Sequence, residues 1–450
     1  MSATVQWSQA PKMNRRILNA AVAVTASGIF VKLIAGAKEF VVAGVYGRSD
    51  AMDAFLAAVL IPALLVNLIS ESMNQALAPT LVRVRELEGP ERAQELLSSA
   101  LLWGCGLLIA AAATMGLSAR AFFPLIASHF APAKLNLAVH LFYALLPVVV
   151  LSGLASNCTV VLNTLDRFVL PAVAPVLVPL AILLCAPLLV HRLGIWAMVY
   201  GMLAGSLVHA GWVIWMTHHC GYRMRLRWYG MNEATREVAF QYGPVLLSSV
   251  VASSGLLVDQ AMAAQLPSGS VSTLAYGSRF VSAVLALVGG AVGAAVVPSF
   301  SSMVAHQDWV ACRNAVRTWA WGTALVSIPV TVGLIAGSHL LVKVAFQRGV
   351  FGPRDTAAVA PVLAMFAVQV PFYVSSRVYY RFLVAMRRTD LIFWCGLINL
   401  VLDIVLNIAL MRIMGVAGIA LATSLWTVST FGFLWYWTRH LLKRKGEVEA

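Results

Sequence analysis

Apolar runs long enough to cross a membrane alternate with short polar breaks along the whole chain. Runs of about 20 or more residues, the length a helix needs to span the hydrocarbon layer, cover 18–46, 54–78, 98–117, 138–163, 169–190, 195–217, 240–262, 273–300, 318–345, 356–383, 391–411 and 416–438. The pattern predicts an all-α polytopic membrane protein of about twelve transmembrane helices. The longest polar break, His218 to Glu237, falls near the middle. It predicts an N-lobe at 1–217 holding helices one to six, a cytoplasmic linker at 218–239, a C-lobe at 240–438 holding helices seven to twelve, and a basic cytoplasmic tail at 439–450.

A weak internal repeat agrees with two six-helix lobes. Ala78-Pro79-Thr80 resembles Val297-Pro298-Ser299, and Leu193-Gly194-Ile195 resembles Met414-Gly415-Val416 at nearly the same offset. Halves with even numbers of helices share one orientation and are related by an axis along the membrane normal. The expectation is therefore a central cavity between two lobes.

Composition and charge narrow the class. The chain is 60% hydrophobic and 11% charged, with mean hydropathy +0.83, unlike a soluble domain. Its net charge of +14 is scattered between apolar spans rather than gathered on one domain, which argues against nucleic acid. Placing the N-terminus inside puts Lys12, Arg15, Arg16, Arg83, Arg85, Arg92, Arg167, Arg223, Arg225, Arg227, Arg236, Arg313, Arg317, Arg387, Arg388, Arg439, Lys443, Arg444 and Lys445 in the cytoplasm. It leaves Arg48, Arg120, Lys134, Arg192, Arg348, Arg354 and Arg412 outside. That asymmetry predicts both termini in the cytoplasm. The polar N-terminus, Met1 to Asn14, leads into a run too long for a signal-peptide core, so the first span is expected to be retained. Six separated cysteines offer neither metal spacing nor a disulfide framework, and His218-His219-Cys220 is not spaced for chelation. No nucleophile, base and orienting group pair up, so no enzyme is expected.

Ionisable residues at membrane depth are costly and mark interior faces or wet cavities. Lys32, Lys38 and Glu39 lie in the first span, and Asp53, Asn67 and Glu71 in or beside the second. On a uniform α-helix the last three fall within about 40° of one line. The acids can neutralise the lysines as internal ion pairs, or the lysines can hold a phosphate or pyrophosphate with the acids moderating an empty cavity. Arg279, early in the eighth span, would place a cation in the second half. Asn399 and Asp403 share one face of the eleventh span, and Asp259 and Thr423 lie at comparable depth. Their oxygens suit a hard cation such as sodium, a proton on one aspartate, or plain hydrogen bonding.

These residues resemble the MurJ/MviN family of lipid II flippases, within the superfamily of multidrug and oligosaccharidyl-lipid exporters. The likeness runs through nearly all the spans. It rests on Tyr46-Gly47 with Asp53-Ala54-Phe55, Ile61-Pro62, Glu71 and Ala78-Pro79. Further pieces are Leu162-Asn163-Thr164 with Arg167-Phe168, Pro171-Ala172 and Ala174-Pro175, then Tyr276 with Arg279, and Phe346-Gln347-Arg348-Gly349 with Phe351.

The resemblance implies an alternating-access carrier in a bacterial inner membrane, moving an undecaprenyl-pyrophosphate-linked saccharide outward. It implies substrate-binding roles for Lys32, Lys38, Glu39, Asp53, Glu71 and Arg279. It also implies a Na+ site at Asp259, Asn399, Asp403 and Thr423, with the Ile419 carbonyl as a further ligand. Na+ or H+ is then the expected coupling ion, with no other cofactor. Expected partners are the lipid-linked saccharide, membrane lipids and glycan-synthesis proteins. Where the family carries two arginines this chain has Lys32 and Lys38, and where it has a basic residue in the second helix this chain has Val66-Asn67. The family plan has fourteen helices, whereas the spans here number about twelve. The substrate expected is accordingly lipid II or a related surface-glycan precursor. The rival readings are a cation-coupled drug exporter and a non-transport scaffold in glycan synthesis.

Overall fold

A computed structural model of the protein describes residues 10–165, 167–222 and 227–448, with side-chain environments for 26–165, 167–222, 227–251, 253–288 and 299–445. Arg223 and Arg225 lie outside the described residues, as does the end of the basic tail, and the side chains of Arg15 and Arg16 are outside them too.

The described residues are helical, without strands. The helices are α1 (Ala10–Tyr46), α2 (Asp50–Leu87), α3 (Pro90–Ile126), α4 (Pro132–Thr164), α5 (Val169–Leu193), α6 (Trp196–His219), α7 (Glu233–Ala263), α8 (Ser270–Ala305), α9 (Trp309–Ala336), α10 (Ser338–Phe346), α11 (Pro353–Ala385), α12 (Thr389–Met414) and α13 (Val416–Val448). All but the short α10 correspond to the twelve expected spans. Eleven helices among the described residues are long and apolar enough to cross a membrane. The remaining long helix, α1, covers the first expected span and carries Lys32, Lys38 and Glu39.

Departures from regular α geometry have local causes. Pro62 lacks an N–H and disturbs the α2 ladder, and four residues later Val66–Glu71 forms a π-helical turn. Of the residues expected to share a stripe, Asp53 precedes that turn, whereas Asn67 and Glu71 lie within it. A π turn advances through less angle per residue than an α turn, so the uniform-helix projection does not hold across it.

The chain forms two compact units that interleave in sequence. The first takes Met1–Val42, Ala58–Ala119 and His140–Ser249; the second takes Ala43–Ala57, Arg120–Val139 and Val250–Ala450. In this grouping short segments of α1 to α4 belong with the later helices, and α7 contributes to both units.

In the first unit, Leu77 and Leu81 of α2, Leu97 and Leu101 of α3, Val161 of α4 and Tyr242 of α7 form a buried cluster. Lipid is as apolar as these side chains, so helix association relies on close packing and polar links. Arg83 pairs with Glu237, Arg85 donates to the Thr164 carbonyl at the end of α4, and Ser72 Oγ donates to Ser249 Oγ at 3.0 Å.

In the second unit, Tyr276 of α8 packs against Phe346 and Phe351 with ring centroids 5.3 and 5.7 Å away. Its hydroxyl donates to the Gly47 carbonyl at 3.1 Å, and Val350 N donates to the Gly44 carbonyl at 2.8 Å. Gly349 makes this approach feasible: its φ is +59°, and a Cβ there would stand 2.2 Å from the Gly44 oxygen. The Tyr46-Gly47, Tyr276 and Phe346–Phe351 motifs thus meet in one structural joint.

Candidate functional site

The charged residues of α1 and α2 divide between the units. In the first, Lys38 Nζ lies 2.7 Å from Glu39, a half-buried local ion pair. Lys32 is exposed. Glu71, at the end of the π turn, is exposed and lines a cavity of about 680 Å³ together with Asn74, Gln75, Ser156, Asn163 and His209. Neither lysine lines it. Asn74 donates to Ser156 Oγ, while Asn74 Oδ1 and His209 Nε2 are buried without a hydrogen-bond partner among the described residues.

Asp53 sits in a buried ion-pair and helix-capping network. It belongs to the second unit and is 1% exposed. Lys134 Nζ donates to its Oδ2 at 2.8 Å, Gly269 N to Oδ2 at 2.7 Å, and Ser272 N to Oδ1 at 2.8 Å. Its charge therefore closes the N-terminus of α8, where free backbone N–H groups favour an anion. Lys134 also reaches Asp50 at 2.6 Å and lies 4.3 Å from the Phe130 ring centroid. Sequence reasoning read Lys134 only as an outer-loop cation, since nothing local marks its partner 81 residues away. Arg279 is exposed on α8 of the same unit.

The second unit gathers most of the expected oxygen cluster. Asn407 Nδ2 donates to Asp259 Oδ1 at 2.8 Å and to Asp403 Oδ1 at 3.1 Å, so one amide bridges two carboxylates. The Thr423 hydroxyl lies 3.0 Å from Asp259 Oδ2 and 3.1 Å from the Ile419 carbonyl. Asp259, Asp403 and Asn407 are 8%, 2% and 0% exposed. Asn399 is not at this cluster: its Nδ2 donates to Thr430 Oγ1 at 2.8 Å, one turn along α12 from Asp403. Asn407 occupies the amide position instead. Its signal was present in the sequence as the next i, i+4 step after Asn399 and Asp403.

Neither of these two buried carboxylates, linked by one neutral amide, has an ion-pair partner among the described residues, an arrangement that favours a proton or a cation. Asp403 Oδ2 and Asn407 Oδ1 are buried and unpartnered among the described residues, leaving oxygens to meet one. Asp403 and Asn399 also line a 250 Å³ pocket with Arg377, Tyr373 and Trp426. No group of three or more His, Cys, Asp or Glu residues suited to a metal occurs among the described residues.

The fold is that of a helical membrane transporter. A solved inward-facing structure of a multidrug resistance MATE family transporter of the MOP superfamily aligns with TM-score 0.74 at 13% identity, covering 96% of this chain and 100% of the other. A solved lipid II flippase MurJ in an inward closed conformation aligns with TM-score 0.81 at 22% identity, covering 93% and 87%. The chain belongs to the lipid II flippase MurJ family, whose model matches residues 42–447. A Synechocystis relative described as a probable lipid II flippase MurJ is 25% identical over 450 aligned residues, spanning 96% of this chain and 84% of its own.

Proposed function

We propose that the protein is a flippase that moves an undecaprenyl-pyrophosphate-linked saccharide, lipid II or a related glycan precursor, across the bacterial inner membrane by alternating access. Family membership over 42–447 is the observation that carries this reading. Both termini lie in the cytoplasm, as the distribution of Lys and Arg supports. The drug-exporter reading has only fold-level likeness behind it, and the scaffold reading has no specific observation in its favour.

Lys32, Lys38 and Arg279 are the cations assigned to the pyrophosphate. Exposure of Lys32 and Arg279 supports their access to a ligand. Lysine supplies charge without the bidentate fork of arginine, so recognition at 32 and 38 rests on electrostatics more than geometry. Glu39 holds Lys38 in place between substrates, and Glu71 contributes the polar wall of the 680 Å³ cavity. Asp259, Asp403 and Thr423, with Asn407 between the carboxylates, hold the coupling cation. Bound there, Na+ or H+ would neutralise the carboxylate pair.

The test is leaflet transfer of an undecaprenyl-pyrophosphate saccharide by the full chain in proteoliposomes, with and without an imposed cation gradient. Transfer should fall by about tenfold or more in Lys38→Ala combined with Arg279→Ala, as loss of two charge-assisted phosphate contacts implies. Unchanged transfer in that variant would remove these cations from the reading. Absence of transfer by the intact, folded chain would remove the function itself.

A further inference from the structure

A second concentration of positive charge lies away from every residue assigned above. Where α9 begins and α13 approaches its end, a pocket of about 570 Å³ is lined by Arg313, Arg317, Arg439 and Lys443, with no carboxylate among the described lining residues. Its volume is within the ~300–1,000 Å³ typical of ligand sites. Arg313 is anchored from α9 to α13 by a hydrogen bond to the Leu442 carbonyl at 3.4 Å. Arg439 lies over the Trp435 ring at 5.6 Å, and Tyr379 of α11 closes the inner wall. The cations are thus held on two helices, with Tyr379 of a third beside them, rather than on a separate tail.

A buried polar group gives a second, independent sign of a ligand. Thr438 lines the same pocket, is 1% exposed, and its hydroxyl has no hydrogen-bond partner among the described residues. A buried hydroxyl without a partner is uncommon, and an oxyanion beside four cations is the chemistry that would satisfy it.

The surroundings indicate the source of that oxyanion. Trp321 and Trp435 line the pocket while remaining 71% and 42% exposed, as aromatic side chains do at the membrane–water boundary. Farther along α9, a separate cavity of about 450 Å³ is lined by Val326, Val330, Val284 and Val288 and is almost wholly apolar. Leu325 and Val326, each 71% exposed, continue the apolar surface. A soluble phosphate has no use for such a track, whereas an acyl chain does. The geometry points to a binding site for the phosphate headgroup of an anionic phospholipid in the basic pocket between α9 and α13, with an acyl chain lying along α9. Basic pockets between transmembrane helices bind such headgroups through arginine forks and lysine charge.

Native mass spectrometry of the full chain in detergent tests the site, using phosphatidylglycerol, phosphatidylcholine and inorganic phosphate as separate probes. Phosphatidylglycerol should be retained in preference to phosphatidylcholine. Arg317→Gln combined with Arg439→Gln should weaken that retention by about tenfold or more. Arg317→Lys with Arg439→Lys should keep most of it, because the charge remains, and Thr438→Val should lose part of it. Helix content by circular dichroism establishes that each variant is folded. If the glutamine variant does not fold, the lysine and valine variants and the preference of the unaltered chain decide. Equal retention of the two lipids, or retention unchanged in the folded glutamine variant, would overturn the site. Displacement of phosphatidylglycerol by millimolar inorganic phosphate, with equal stabilisation by phosphate alone, would overturn the lipid assignment in favour of a soluble anion.

Discussion

Asp53 receives a lysine ammonium and two backbone N–H groups on one carboxylate, at a place that water barely reaches. Removing it would leave Lys134, itself 8% exposed, with Asp50 alone and would uncap α8. Asp53→Ala should therefore destabilise the protein by about 3 kcal/mol. Asp50→Ala should cost ~1 kcal/mol or less, since the Asp50 side chain is 62% exposed and its pair is screened. Denaturant unfolding in detergent compares the two, and equal losses would deny Asp53 its capping role. From the sequence, Asp53 was legible as an acid too costly to be incidental, but not as a cap. Capping partners 81 and 216 residues away leave no periodicity to read. The oxygen cluster was legible to a greater degree, because Asn399, Asp403 and Asn407 repeat at helical spacing. Which amide turns toward Asp259 depends on the packing of α7 and α13 around α12.

At the scale of elements, the proposed repeat has a geometric counterpart. Gly194 ends α5 with φ +55° and ψ −131°, and Gly415 ends α12 with φ +58° and ψ −133°. Each lies before the next long helix in a hairpin that packs extensively, α5 on α6 and α12 on α13. A side chain at either position would meet no neighbouring atom, so substitution isolates the backbone term. Gly194→Ala and Gly415→Ala should each cost about 1–3 kcal/mol, because an L-residue resists this conformation. Equal shifts in unfolding midpoint are expected; a loss at only one position would break the equivalence. These helix ends were legible because glycine after an apolar run stops a helix in a recognisable way. The π turn at Val66–Glu71 was not, since nothing in an apolar sequence distinguishes an i→i+5 bond from i→i+4.

For the whole molecule, membrane orientation is the property that charge distribution predicts most directly. On the proposed orientation, single reporter cysteines at Ser8 and Lys445, in a chain whose six native cysteines are replaced, should react with an impermeant maleimide only after the inner membrane is opened. Labelling of either in intact spheroplasts would reverse that end. The spans were legible because hydropathy over about 20 residues is a local, additive property, and the family because its motifs lie along them. The grouping of helices into units was not. Residues 43–57 and 120–139 group with the later helices through contacts that no local property of the sequence marks.

The sequence by itself determined the membrane class, the helices, the family and the residue types able to meet phosphate or a cation, because each depends on composition or spacing along one element. Tertiary structure alone decided that Asp53 closes α8, that Asn407 bridges the carboxylates, and that four distant cations share one pocket. These facts depend on which residues of separate helices come within hydrogen-bond range. A drawn span fixes depth in the membrane but leaves rotation and neighbours open, and those are set by packing between helices.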